Sequence, residues 1–156
     1  MAKKRETGAN AKILKSLQKY CWARNISDKF QIGLPDNLVC YQGLTMGMEL
    51  KAVSSIPENG WAPLKSDHCF SKPQIRELKS IETHGGVGLG LLVCGSYLFW
   101  FLPSEINEFG QVNCNELLKL HQFIKKGTSG DWDSIIEVLC RFRSYHNNKE
   151  RSMNGS

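Results

Sequence analysis

GLPDNLVCYQGLTMGMELK, residues 33–51, is the stretch of sequence from which the fold can be predicted. Two short apolar runs, Asn37–Gln42 and Met46–Val53, flank a break that begins at Gly43. Runs of this length on either side of a glycine-containing break are typical of two strands joined by a tight turn. The stretch therefore predicts a β-hairpin.

Charged side chains interrupt the second apolar run of this hairpin. Glu49 and Lys51 are two residues apart, so in a strand they project from the same face. Folding the hairpin brings Asp36, at the start of the first strand, close to them. Clustered carboxylates repel each other and need a cation, and oxygen ligands of this kind suit Mg²⁺ or Mn²⁺. The alternative is an ordinary surface hairpin that carries a glutamate and a lysine on its solvent-exposed face.

The order Pro35-Asp36, then Glu49-Leu50-Lys51, resembles the signature of the PD-(D/E)xK nuclease superfamily. Within this superfamily, the sequence of the stretch looks most like those of Holliday-junction resolvases and the related VRR-NUC nucleases. The resemblance covers about residues 10–102. The resemblance implies a restriction-endonuclease-like α/β fold with a mixed central sheet flanked by helices. It also implies Asp36, Glu49 and the backbone carbonyl of Leu50 as metal ligands, and Lys51 as the residue that orients the attacking water.

Gln74 has two interpretations. The sequence Ser71-Lys-Pro-Gln74 matches a capping box, which predicts a helix from this point to about Thr83. Nucleases of this type commonly place a glutamine on the helix after the E-x-K strand, facing the site. The resemblance therefore also implies a catalytic role for Gln74, and the sequence leaves both readings open.

The N-terminal part predicts a flexible basic tail over residues 1–9 and a helix from Asn10 to about Arg24. Resolvase-like nucleases often carry an acidic residue on the first helix, but here residues 11–24 contain none, and Glu6 is the only nearby candidate. Lysines line one side of this helix and the start of the next, and they are the candidate DNA-binding residues: Lys12, Lys15, Lys19 and Lys72.

The remaining elements complete a mixed α/β pattern. Val87–Cys94 and Tyr97–Leu102 are predicted as a pair of buried strands joined at Gly95. Amphipathic patterns predict two further helices, Asn113–Lys126 and Asp131–Tyr145. We expect a single nuclease domain over residues 10–146, with a core at about 10–102, a helical extension at 113–146 and a polar tail at 147–156.

Composition limits the classes of protein that fit. The net charge of +5 is compatible with a polyanionic partner. The longest apolar run, Val87–Leu102, is interrupted and too short to span a membrane. Six cysteines without a C-x-x-C pair, and no N-terminal secretory signal, indicate reduced thiols in a cytoplasmic or other reducing intracellular compartment rather than secretion.

These observations predict a Mg²⁺- or Mn²⁺-dependent DNA endonuclease, with a Holliday-junction resolvase as the leading hypothesis. Such an enzyme would be a homodimer on branched or four-way DNA, with the apolar C-terminal helices as candidates for the dimer surface. The alternatives are a VRR-NUC-like repair nuclease, a restriction-type nuclease, or a DNA-binding module that keeps this fold without cleaving.

Overall fold

The computed structural model describes residues 2–26 and 31–155 of the 156-residue chain. The strands are β1 (Trp22–Asn25), β2 (Asn37–Tyr41), β3 (Leu44–Val53), β4 (Trp61–Ala62), β5 (Val87–Cys94), β6 (Tyr97–Phe101), β7 (Val112–Asn113) and β8 (Phe123–Lys125). The helices are α1 (Ala2–Leu17), α2 (Lys72–Thr83), α3 (Cys114–Lys119) and α4 (Ile135–Asn154), with a 3₁₀ turn at Pro103–Glu105. In the described part of the chain, none of the helices has both the length and the apolar character needed to cross a membrane.

Six strands form one mixed sheet in the order β1-β2-β3-β5-β6-β8. Strands β3 and β5 are parallel, while the other neighbouring pairs of this sheet are antiparallel. Helix α2 provides the crossover that a parallel pair requires. The predicted fold class, a mixed central sheet flanked by helices, is confirmed.

The predicted hairpin is the pair β2–β3. Gln42 and Gly43 form its turn and have φ angles of 46° and 82°. Positive φ at both central residues is what a two-residue type I′ turn requires, and glycine adopts it without a steric cost. The turn fixes the register, which places Asn37 opposite Met48.

The sheet buries a separate apolar cluster on each face. Helices α1 and α4 cover one face, where the buried residues include Ile13, Leu17, Met48, Leu50, Leu89, Leu139 and Phe142. On the other face, α3 and the two-stranded sheet β4–β7 enclose a cluster that includes Ala62, Phe70, Leu92, Phe99, Phe101, Val112 and Leu117. Strand β5 lies between the two clusters and is buried along nearly its whole length, as its continuous apolar sequence predicts.

Helix α2 packs directly against β5. A side chain at Gly88 would place its Cβ 2.1 Å from the carbonyl oxygen of Leu78 on α2. That distance is far below a van der Waals contact, so the glycine-rich start of β5 allows the helix and strand to come together. This close approach holds the first turn of α2 over the middle of the sheet.

The prediction for the first helix was wrong at both ends. Helix α1 begins at Ala2, within the expected flexible tail, and ends at Leu17. Asn10 is inside the helix and not at its cap, and its side-chain oxygen accepts a hydrogen bond from the buried Asn37. The segment expected to be helical as far as Arg24 forms β1 at the edge of the sheet. A helix whose first turns contact the protein through polar groups gives no apolar periodicity from which to predict it.

The C-terminal region also departs from the prediction. The expected helix Asn113–Lys126 is the short helix α3 followed by β8, which pairs with β6. Helix α4 begins later than expected and continues to Asn154, through most of the expected polar tail. Much of the apolar surface of this region is buried in the chain's own core. Leu120, Tyr145 and Met153 stay exposed, so the dimer surface suggested from sequence stays a prediction.

Candidate active site

The hairpin register brings Asp36 to the centre of β3. Asp36 precedes the Asn37–Met48 pair by one residue, and its Oδ2 accepts a hydrogen bond of 2.8 Å from the backbone N–H of Leu50. Pro35, on its other side, is buried beside Gly47. The Pro-Asp pair is therefore held at the start of β2 by packing and by a hydrogen bond to the neighbouring strand.

Glu49 and Lys51 project from the same face of β3, as their spacing predicts. The Nζ of Lys51 lies 3.1 Å from the Oε1 of Glu49. Glu49 is 2% exposed and Lys51 9% exposed. The ring of Phe70 lies on the other side of the lysine, with its centroid 5.8 Å from Nζ. An ion pair buried this deeply has a desolvation cost that its own attraction does not readily recover, so its position in a central strand is unusual for a merely structural pair.

The side chain of Gln74 makes the capping contacts and a contact with Glu49 at the same time. The Oε1 of Gln74 accepts a hydrogen bond of 2.9 Å from the backbone N–H of Ser71, and Ser71 Oγ accepts one of 3.3 Å from the N–H of Gln74. The Nε2 of Gln74 donates a short hydrogen bond to Oε1 of Glu49. Because the cap occupies the amide oxygen, the amide nitrogen must be the end that faces Glu49.

Glu6 belongs to the same neighbourhood, although the sequence did not place it there. It lies on α1, is partly buried, and accepts a hydrogen bond from the backbone of Ala52. Burial raises the pKa of its carboxyl, while the positive charges of Lys51 and of His68, when protonated, lower it. Its Oε1 is buried and has no hydrogen-bond partner within the described residues. The spacing of Glu6, three to four residues apart from Asn10 and Ile13 in turn, was the available signal that it shares the buried face of the helix.

The electrostatics of the site disfavour ionised carboxyls. Burial raises the pKa of Glu49 to about 7, assisted by the negative charge of Asp36 and opposed by Lys51. Burial also raises the pKa of Asp36, against the lowering effects of the Leu50 N–H and Lys51. An ordinary glutamate in an unfolded chain loses its proton near pH 4.5. Ionising Glu49 in the folded protein therefore destabilises the fold as the pH rises from about 4.5 to 7.

The donor set fits a small divalent cation. Oε1 of Glu49 already accepts hydrogen bonds from Lys51 and Gln74, whereas Oε2 is buried and has no donor in the described part of the chain. Asp36 supplies a second carboxylate beside it. Across residues 2–26 and 31–155, no three His, Cys, Asp or Glu side chains are grouped closely enough to hold a metal by themselves. Two carboxylates with a backbone carbonyl and water are a usual arrangement for Mg²⁺.

The four lysines predicted to bind DNA are all exposed, but they are not equivalent. Lys19 forms an ion pair with Asp133, at 2.7 Å between Nζ and Oδ2, which occupies its charge. Lys72 lies in the first turn of α2, two residues from Gln74. Lys12 and Lys15 lie on α1 beyond Glu6. Lys72 is thus the only one of the four that lies within two residues of Gln74, whose side chain contacts Glu49.

Of the comparisons with known proteins, the one with solved structures gives a match. No protein-family model matches the sequence, and no curated protein matches it. Among solved structures, the chain is similar to Hjc, a Holliday junction resolvase of the hyperthermophilic archaeon Archaeoglobus fulgidus, with a TM-score of 0.56. The match has 12% sequence identity and covers 78% of this chain and 91% of the Hjc chain. At this identity the comparison establishes a shared fold.

Proposed function

We propose that the protein is a metal-dependent endonuclease of the PD-(D/E)xK type that cleaves branched DNA as a Holliday-junction resolvase. One observation carries the proposal. A central strand holds Glu49 and Lys51 out of water beside Asp36, and one oxygen of Glu49 has no hydrogen-bond donor among the described residues. Burying these charged groups costs free energy of folding. An arrangement that does not stabilise the fold indicates a functional site.

Each residue has a distinct task in this proposal. Asp36 and Glu49, with the carbonyl of Leu50, would hold Mg²⁺ or Mn²⁺. A divalent ion supplies Lewis-acid polarisation of the phosphodiester and lowers the pKa of water. Gln74 and Lys51 occupy Oε1 of Glu49 and leave its Oε2 for the ion. The ammonium group of Lys51 orients the attacking water and stabilises the charge that develops on the phosphate.

Glu6 adds to the negative potential of the same site. Its carboxyl interacts electrostatically with Lys51 and Asp36, which supports a position near the proposed ion. It would supply the acidic residue that resolvase-like nucleases often carry on the first helix. We assign it a supporting role, because it does not form a close three-carboxyl group with Asp36 and Glu49.

A VRR-NUC-like repair nuclease and a restriction-type nuclease would use the same residues, so substrate choice separates them from a resolvase. A DNA-binding module without cleavage is disfavoured by the presence of two acidic residues, Asp36 and Glu49, at the centre of the site. Binding an anionic backbone gains nothing from carboxyls that oppose it.

The six cysteines are all free thiols, and we expect the protein to work in a reducing intracellular compartment.

The resolvase assignment predicts a homodimer that prefers four-way junctions. One site per chain makes one nick, whereas resolving a junction needs two nicks related by symmetry. Phosphate contacts alone favour junction and linear duplex similarly and weaken steeply with salt. At fixed salt, we therefore expect at least about tenfold tighter binding to a four-way junction than to a duplex of the same length, which corresponds to about 1.4 kcal/mol.

The test incubates the protein with a labelled junction, a flap and a linear duplex, in Mg²⁺ and in EDTA, with sedimentation to give the oligomeric state. Paired nicks across the junction, dependent on Mg²⁺, would support the resolvase. A monomer that cuts all three DNAs alike would leave a nuclease but exclude a resolvase. No cleavage of any DNA in Mg²⁺ or Mn²⁺ would refute the nuclease itself.

A second prediction separates the two roles of Gln74. A glutamate at this position can still accept from Ser71 and complete the capping box, but it cannot donate to Glu49 and adds a negative charge beside it. Near pH 5, where its raised pKa keeps Glu49 protonated, the thermal stability of Gln74→Glu should therefore stay near that of the wild type. At neutral pH, cleavage should fall by about 10- to 100-fold, as for other residues that orient a metal ligand.

Gln74→Ala is the matched comparison. It removes the cap and the site contact together, so both the melting temperature and the cleavage rate should fall. If Gln74→Glu cleaved DNA at the wild-type rate, the contact with Glu49 would have no part in the reaction, and the capping box would be the full explanation of this residue.

A further inference from the structure

The segment that leads from β4 into α2, residues 63–71, passes beside Lys51 and near the acidic residues of the site, Glu6, Asp36 and Glu49, which we call the carboxylate cluster. It contains a turn in which the N–H groups of His68 and Cys69 donate to the carbonyl of Lys65, at 3.0 and 3.1 Å. At its end, Phe70 is buried, its N–H donates to the carbonyl of Gly110 at 2.8 Å, and its ring packs edge-on against Phe101. The segment is therefore anchored to the protein immediately after His68.

The anchored Phe70 keeps His68 close to the site along the chain. His68 is two residues from Phe70, whose ring lies against the ammonium group of Lys51. Its side chain is 27% exposed, and Nε2 lies 3.4 Å from a carboxylate oxygen of Asp67, which is largely exposed. The imidazole is also close enough to Glu6 to affect the pKa of that carboxyl. His68 is thus partly exposed to solvent and near enough to Glu6 to interact with it electrostatically.

The proposed reaction needs a hydrogen-bond donor near the position of His68. The carboxyls of Glu6, Asp36 and Glu49 repel a phosphodiester backbone, and an ion at Asp36 and Glu49 can attract only the phosphate being cut. The neighbouring phosphates need donors of their own at the rim. An imidazole has an N–H in both its neutral and its charged form, and phosphate oxygens are common acceptors for side chains that set the register of a strand.

We propose that His68 is a substrate-binding residue, whose imidazole donates a hydrogen bond to a phosphate of the cleaved strand adjacent to the scissile phosphate. The inference rests on the proposed nuclease function and adds to it a contact that fixes the register of the strand. Its role is in binding, so its loss should raise KM more than it lowers kcat.

The test measures binding in the Glu49→Gln background, which is expected not to cleave, on DNA in which one phosphate at a time is replaced by a neutral methylphosphonate. One replacement next to the scissile position should weaken binding by the parent protein about tenfold, the scale of a hydrogen bond to a charged group. When His68→Ala is added, binding should be weaker by a similar factor and no longer sensitive to that one replacement, while sensitivity at the other positions stays unchanged.

His84→Ala is the matched control, because His84 is an exposed histidine at the far end of α2. It should reproduce the parent pattern at every phosphate. Equal affinity with and without His68, or equal sensitivity at all phosphates, would overturn the proposal while the nuclease stands, provided that the wild-type protein cleaves. If the wild-type protein neither binds nor cleaves DNA, the function and this inference fail together.

Discussion

Replacing Asp36 with Asn, or Glu49 with Gln, is expected to lower DNA cleavage by roughly a thousandfold or more. Each change removes a carboxylate that would hold the metal ion, and a bound ion contributes several kcal/mol of transition-state stabilisation at about 1.4 kcal/mol per factor of ten. Binding to DNA should persist or become tighter, because a negative charge near the phosphates is lost. Cleavage rates and binding to uncleaved DNA, measured in the same buffer, check both expectations.

Glu116→Gln is a suitable control for these variants. Glu116 is exposed on α3 and pairs with Lys119 at 2.8 Å, so removing its charge should leave cleavage unchanged. A rate within a few-fold of wild type for Asp36→Asn or Glu49→Gln would eliminate the proposed metal site. A loss of folding would be detected separately as a lower melting temperature.

The Glu49→Gln variant also has a signature that does not depend on cleavage. The pKa of Glu49 is raised to about 7 in the folded protein from 4.5 in the unfolded chain. Stability present below pH 4.5 is therefore lost as the pH rises through 7, because the unfolded chain ionises first. In EDTA, the melting temperature of the wild type should fall more steeply over this range than that of Glu49→Gln. Parallel curves would show that Glu49 titrates normally.

The central elements could be predicted because their signals are local. The β2–β3 hairpin follows from two apolar runs and a turn at Gly43, and α2 follows from the capping box at Ser71. The pair β5–β6 follows from continuous apolar sequence on both sides of Gly95. In each case the neighbouring residues alone determine the conformation, and the structure confirms these elements.

The edges of the sheet could not be predicted in this way. Strand β1 has one buried residue, Ala23, in a polar sequence, and its conformation depends on pairing with β2. Strand β8 is three residues long and depends on β6, so its apolar residues fit the periodicity of a helix equally well. Short edge strands take their structure from the partner strand, and a single sequence does not identify that partner.

The site shows the same division between local and distant contacts. Asp36, Glu49 and Lys51 are joined by one hairpin, and the structure brings them together as the spacing predicted. Gln74 follows from the resemblance, and its contact with Glu49 depends on α2 packing over the sheet. Placing Glu6 at the site required knowing that α1 extends to Ala2 and contacts β3, a tertiary contact that the spacing of Glu6 from Asn10 and Ile13 does not identify.

Replacing Lys51 with Met is expected to lower cleavage by about 100- to 1,000-fold, similar to the loss of one donor that stabilises a developing oxyanion. Methionine fills a similar volume in the buried space between Glu49 and Phe70 but has no charge and no donor. The fall should be in kcat and in kcat/KM alike, because the ammonium group acts on the water and on the transition state. Single-turnover rates at saturating DNA would measure this effect directly.

Metal binding by the same variant distinguishes this role from that of a ligand. Lys51 lowers the pKa of Glu49, so its loss raises that pKa further and weakens the ion's hold near neutral pH. As the pH is raised and Glu49 ionises, the rise in melting temperature on adding Mn²⁺ should therefore return in Lys51→Met. Lys125→Met, which removes an exposed lysine from β8, should match the wild type in both assays. If Lys51→Met cleaved DNA at the wild-type rate, Lys51 would be only the partner of a buried carboxylate. If the variant lost the Mn²⁺ response even at high pH, Lys51 would instead contribute to metal binding.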